Sequence, residues 1–206
     1  MTTSLTQDLA AQLQGAPAQQ VAQQLGVDPA QASAAIGTAL PLLLGALGRN
    51  ASRPEGAQAL FGALQNDHAG GDLGSVLGAV LGSGQTRQTN GDGILGHIFG
   101  GQQQRAQAGV AQATGLQSSQ ASQLLKTLAP IVMAYLAKRM FSQSGGAQQA
   151  SPDVLGQVLG QEHAQIQQQG GAGGGLLDAV LDQDGDGQLG IGDLMKLGGG
   201  LLGGRS

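Results

Sequence analysis

Apolar residues recur at helical spacing along much of this chain, and turn-forming residues cut the pattern into helix-sized pieces. Ile36, Leu40, Leu43, Leu44 and Leu47 fall on one helical face, and Leu124, Leu125, Leu128, Val132, Tyr135 and Leu136 fall on another. Each long stretch follows a shorter one. Residues 19–25 predict a short helix stopped at Gly26, a residue tolerant of left-handed backbone geometry. Asp28 then caps the longer helix, with Pro29 in its first turn and Gln31 in capping-box position. In the second case Gly115 makes the stop and Ser118 is the expected cap. Pro41 and Pro130 sit inside the long helices, where a proline costs about 3 kcal/mol and bends the axis.

The two stretches are related. Shifted by 89 positions, residues 21–47 align with residues 110–136 without a gap, and ten of the 27 positions are identical, Pro41 and Pro130 among them. One duplication at this spacing is not a solenoid. It predicts an all-α fold in which two related helical halves form a small bundle. Between the halves, residues 55–65 predict a helix and residues 70–82 a glycine-spaced segment. A polar linker follows. After the second half, residues 153–161 predict a short helix behind Ser151 and Pro152, and the Gln/Gly-rich stretch 167–175 is expected to be disordered. The expected organisation is a first half over 1–82, a linker over 83–92 and a second half over 93–141. A linker with a short helix over 142–175 and an acidic segment over 176–206 complete it.

Composition supports the helical reading. The chain holds 38 glycines, three phenylalanines, one tyrosine and no tryptophan. Sandwiches and barrels draw on aromatic and β-branched residues, and this chain offers small side chains for close helix packing instead. The absence of cysteine excludes disulfides, thiolate zinc sites and a cysteine nucleophile.

The string Gly93-Ile94-Leu95-Gly96-His97-Ile98-Phe99-Gly100, followed by Val110-Ala111 and by Leu124 through Met133 (LLKTLAPIVM), resembles a bacterial family of unknown function. That family is numbered DUF 937, and the YidB-like proteins are related to it. The resemblance covers residues 40–136, with the glycine-rich tail in keeping. It implies an all-α fold, and it implies no catalytic residue because no activity is assigned to the family.

Charge directs attention to the C-terminal end. Thirteen acids and nine bases give a net charge of −4, and removing Asp182, Asp184, Asp186 and Asp193 leaves nine of each. The segment from Asp182 to Asp193 fits the calcium loop of an EF-hand or a dockerin. Asp182, Asp184 and Asp186 occupy positions one, three and five, so their carboxylates can converge on one hard cation. Gly187 allows the sharp turn at six, and Gln188 offers its backbone carbonyl at seven. Gly190 leaves position nine to water, and Asp193 stands at twelve in place of the usual glutamate. Leu176, Leu177, Val180 and Leu181 enter the loop, and Leu194, Met195 and Leu197 leave it. The shorter Asp193 and the lack of a partner loop point to weak binding of calcium, with magnesium as the other candidate ion, on the order of 10⁻⁵ to 10⁻³ M.

Other signals are weaker. Gly91 to Gly96 spells G-x-G-x-x-G, but a dinucleotide site needs a strand before it and the preceding linker supplies none. His97 is expected to be a packed or surface histidine, and His68 and His163 are isolated. The helix–glycine–helix units resemble a helix-turn-helix, yet residues 29–48 contain no base. The nine bases are scattered along the chain, and a phosphate-tracking surface needs them clustered, so no nucleic-acid partner is expected. Gly70, Gly74, Gly78 and Gly82 recur every four residues, a spacing that lets helices approach closely. It suggests intramolecular packing or a flexible segment, with self-association or a membrane-surface contact as the sharper reading. Residues 29–48 are uncharged but polar at their start and interrupted by Pro41, so no membrane span is expected. The first fifteen residues lack a basic signal-peptide start, which predicts a cytoplasmic location. The expected function is non-enzymatic calcium binding with self-association or an unidentified protein partner. The alternative is a structural or membrane-surface module whose loop is vestigial.

Overall fold

Two long helices form the centre, and shorter ones wrap them. The computed structural model describes residues 4–68, 73–82, 90–142 and 150–168. In chain order these hold α1 (Leu5–Leu13), α2 (Ala16–Leu25), α3 (Pro29–Ala51), α4 (Pro54–Ala63), α5 (Leu73–Leu81), α6 (Gly91–Phe99), α7 (Gln103–Thr114), α8 (Ser118–Ser142) and α9 (Pro152–Gln168). A π-helical turn, Leu64–His68, extends α4, and a 3-10 turn, Gly100–Gln102, joins α6 to α7. All regular structure among the described residues is helical.

α3 packs against α8, and both are buried on most sides. Thirteen of the 23 residues of α3 are buried, including Leu40, Leu42, Leu43, Leu44 and Leu47. Each such leucine contributes about 1.5–3 kcal/mol by leaving water. By length and composition α3 could cross a membrane, but it is mostly enclosed by its neighbours here. In α8, Leu124, Leu125, Leu128, Val132, Tyr135 and Leu136 are all buried, as their spacing predicts. α2, α4, α7 and α9 lie against α3, and α5, α6 and α7 against α8.

The local signals at the helix ends resolve in detail. Gly26 and Gly115 adopt φ of +67° and +70° and end α2 and α7 in the left-handed conformation. The Asp28 side chain accepts from Gln31 N–H at 2.9 Å. At the second turn the cap is one residue earlier than expected. α8 begins at Ser118, and the Gln120 side chain accepts from Gln117 N–H at 2.9 Å. The Gln120 and Gln123 amides also donate to the carbonyls of Leu25 and Gln24 at the end of α2. Residues of the second expected half thereby satisfy carbonyls that α2, in the first, leaves without helical donors. Neither proline ends its helix, and α3 and α8 run 23 and 25 residues through Pro41 and Pro130.

Three expectations need correction. The segment assigned to a linker over 142–175 contains α9, which is 17 residues long rather than a short helix over 153–161. α9 is a core element: Leu155, Leu159, Glu162 and Ile166 are buried in one stripe. It comes so close to α3 that a Cβ on Gly48 would lie 2.8 Å from the Leu159 carbonyl oxygen. The linker over 83–92 is also too long by two residues, because Asn90 caps α6 and accepts from Gly93 N–H at 3.1 Å. Finally, residues 5–13 form α1, which buries Leu5, Leu9 and Leu13 and was not expected.

Candidate functional site

A basic cleft lies where the ends of α3 and α6 meet the start of α7. Arg49 occupies the last turn of α3, where a cation complements the negative end of the helix. Arg53 stands just before α4 and Arg105 in the first turn of α7. His97 comes from the last turn of α6. The cleft encloses about 480 Å³ and has all four of these side chains on its walls. No acidic residue is among the described residues that line it.

Packing and hydrogen bonds hold this corner together. Asn50 Nδ2 donates to the His97 carbonyl at 3.2 Å and ties the end of α3 to the end of α6. The Ser52 hydroxyl donates to the Arg49 carbonyl at 2.6 Å, satisfying a C-terminal group of α3. Ile98, Phe99 and Ala46 are buried and form an apolar floor, while Arg49, Arg53, His97 and Arg105 are exposed above it. Ala106, fully buried beside Arg105, fixes the first turn of α7 against the core. That turn has no side-chain cap. Guanidinium groups stay protonated at any ordinary pH and cannot exchange protons in catalysis.

The sequence reading missed this cluster. The bases are scattered along the chain, but the fold gathers three of the nine at one place. The four-residue spacing of Arg49 and Arg53 was the visible signal; Arg105 joins them only through the tertiary fold.

The predicted calcium ligands Asp182, Asp184, Asp186, Gln188 and Asp193 lie outside the described residues. Among the described residues, no group of three or more His, Asp or Glu side chains could hold a metal ion. The G-x-G-x-x-G string lies inside α6 with no strand before it. His97 is a surface histidine, as expected, and His163 is half-buried on α9. In the part described, the glycine-spaced segment packs against α8 through its apolar residues and not through its glycines. α5 buries Leu73 and Val76, whereas Gly74 and Gly78 are exposed, and a Cβ on Gly78 would meet nothing within 4 Å.

A family model described as "Bacterial protein of unknown function (DUF937)" matches residues 7–139, about two thirds of the chain, and the chain belongs to that family. No curated protein and no solved structure matches. The matched region begins in α1 and ends within α8. It contains every residue of the basic cleft and stops short of α9 and the acidic loop.

Proposed function

We propose that this member of the DUF937 family is a non-enzymatic helical scaffold that binds calcium through its C-terminal loop. The observation that carries the reading is the spacing of Asp182, Asp184 and Asp186 ahead of Gly187, with Asp193 closing the twelve-residue loop. Three carboxylates at alternate positions, a turn glycine and a fourth carboxylate at position twelve are what a hard cation needs. Gln188 supplies a main-chain carbonyl, and magnesium competes for the same oxygens. The scaffold is read as a duplicated helical unit, supported by the matching order of helix, glycine turn and proline-containing helix in α2–α3 and α7–α8. No nucleic-acid partner is proposed, since the exposed first turns of α3, the helix that would read base edges in a helix-turn-helix, carry no base.

Isothermal titration of the full chain with calcium tests this reading, with the amide of Gly187 followed by NMR. Saturable heat and a shift at Gly187 are expected, and both vanish in the Asp182→Ala, Asp184→Ala double variant. No heat and no shift up to millimolar calcium would sink it.

A second reading is favoured by the outward face of α5 at Gly78: self-association or contact with a membrane surface there, with the loop vestigial. Sedimentation with and without liposomes and chelator separates the two. A calcium-independent oligomer or liposome pellet supports the second reading, and a monomer that responds only to calcium supports the first.

A further inference from the structure

We propose that Asn90 is a site of spontaneous deamidation, that the docking of α6 on α8 gates the reaction, and that the isoaspartyl product leaves α6 without its cap. The chain holds three asparagines, Asn50, Asn66 and Asn90, and only Asn90 is followed by glycine. Glycine has no Cβ to hinder its own amide nitrogen, so Gly91 N can attack the side-chain carbonyl carbon of Asn90. A bond forms from Gly91 N to Asn90 Cγ, and the side-chain nitrogen leaves as ammonia, taking the proton of the Gly91 amide. Water then opens the five-membered imide. Cleavage between Cγ and the Gly91 nitrogen gives aspartate. Cleavage between the main-chain carbonyl and that nitrogen gives isoaspartate, whose main chain runs through Cβ and Cγ.

The fold decides when this happens. Asn90 is exposed, so water reaches it, whereas Gly91 is buried at the junction of α6 with α8. Asn90 has ψ of 80°. For an L-residue that angle puts Cβ and the next nitrogen on opposite sides of the Cα–C bond, and ring closure needs them eclipsed. The side chain is held as well, because Oδ1 accepts from Gly93 N–H at 3.1 Å. Gly91 cannot turn in place, since it lies so close to the Lys126 carbonyl that even a Cβ would overlap it. The first turn of α6 must therefore leave α8 before the ring can close, and the chemistry records that opening irreversibly. The two products differ in what they return to the fold. Aspartate keeps an acceptor at the cap and adds a charge that suits a helix N-terminus. In isoaspartate the carboxylate hangs directly from Cα and the main chain is longer by one methylene, so the cap geometry is lost.

Prolonged incubation of the full chain at mildly alkaline pH, with and without urea, tests this. Peptide mapping by mass follows the conversion of amide to acid at residue 90, and isoaspartyl methyltransferase labelling identifies the isoaspartate. Conversion is expected in both samples, at least about tenfold slower in the native chain because it waits on local opening. Gly96→Ala, which strengthens α6 without touching the site, should slow native conversion by up to about fivefold and leave conversion in urea unchanged. Hydrogen exchange on the separated forms reads the consequence. The isoaspartyl form should lose protection over α6 by at least about threefold, as loss of a cap implies. The Asn90→Asp variant should keep the protection of the parent. No isoaspartate at residue 90 of the native chain, equal rates with and without urea, native conversion undiminished by Gly96→Ala, or an isoaspartyl form with parental protection over α6 would overturn the proposal.

Discussion

Glu162, in the middle of α9, holds Thr6 at the start of α1 by two bonds to one oxygen. The Thr6 N–H donates to Oε1 at 2.9 Å and the Thr6 hydroxyl donates to the same oxygen at 2.5 Å. The second oxygen accepts from Leu5 N–H at 2.9 Å. The carboxylate is only 4% exposed, so it would be costly unless its oxygens were satisfied. The first amides of a helix lack intrahelical partners and carry partial positive charge, and α1 thereby supplies what this carboxylate needs. Ser4 adds the ordinary cap, accepting from Gln7 N–H at 3.1 Å.

Glu162→Gln should therefore destabilise the fold by about 1–3 kcal/mol, because the amide nitrogen opposes a donor already in place. Thr6→Ala removes a hydroxyl donor to the carboxylate and should cost about 1.5–3 kcal/mol. Urea denaturation of both variants and of the double variant checks this. If the pair acts as described, the two losses do not add, and amide protection at Leu5 falls in the Glu162 variant. Additive losses would show that the carboxylate and Thr6 act independently.

Within the G-x-G-x-x-G string, position decides the outcome of substitution. Gly91 packs against the Lys126 carbonyl so closely that a Cβ would overlap it. Pro130 has no N–H to give that carbonyl in the usual helical bond, so α6 docks where α8 has a carbonyl without its usual helical donor. The Lys126–Asp92 ion pair at 3.0 Å, exposed on both sides, adds little at the same junction. Gly91→Ala should cost about 1–3 kcal/mol or more, since backbone must move. Gly96 is exposed in the same helix, and a Cβ there would meet nothing within 4 Å. Gly96→Ala should stabilise by up to about 1 kcal/mol through helix propensity. Thermal unfolding of the two variants should move in opposite directions.

These contacts also explain what could be read in the sequence. α3 and α8 were legible because their leucines are dense and their turns carry Gly26, Asp28 and Gly115. α9 was foreshortened because its buried stripe passes through Glu162, which reads as a surface residue until α1 is placed over it. Its interface with α3 is marked by missing side chains, Gly48 on one helix and Gly156 on the other, with a Cβ on Gly156 only 3.2 Å from the Ala51 carbonyl oxygen. Hydrophobic periodicity carries no signal from such contacts. α1 has only three spaced leucines among polar residues. The basic cleft depends on bringing Arg105 to Arg49 and Arg53, which is a property of how α7 lies on α3 and not of any local pattern.

Tyr135 should resist ionisation. It is buried in α8, and its hydroxyl donates to Asp8 Oδ2 at 2.9 Å. Burial raises its pKa most, and the hydrogen bond and negative charge of Asp8 raise it further, against a smaller opposing effect of Arg139. The folded state then keeps a proton that the unfolded state loses near the ordinary phenol value of about 10. Below that value the group contributes no pH dependence. Above it, stability should fall as pH rises, because the unfolded state binds fewer protons. The chain has one tyrosine and no tryptophan, so tyrosinate absorbance reports this residue alone. Ionisation should occur only with alkaline unfolding, and Tyr135→Phe should flatten the fall in stability above pH 10. Ionisation of the still-folded protein at the ordinary phenol pH would contradict the burial and the Asp8 bond.

The effect of calcium should reach beyond its ligands. Asp178, Asp182, Asp184 and Asp186 are close in sequence, and like charges this near oppose a short helix that is already marginal in water. A bound cation removes the repulsion and adds binding free energy to local folding. Leu176, Leu177, Val180 and Leu181 on one side and Leu194, Met195 and Leu197 on the other then form an apolar face. That face should dock on the helical scaffold or on a second copy. Hydrogen exchange with and without calcium distinguishes the outcomes. Added protection over 176–197 together with a patch on α1–α9 at unchanged mass indicates the scaffold, and added protection with doubled mass indicates a second copy. Protection confined to 176–197, with no change elsewhere and no change in mass, would show that the face docks on nothing and that loop and scaffold are uncoupled.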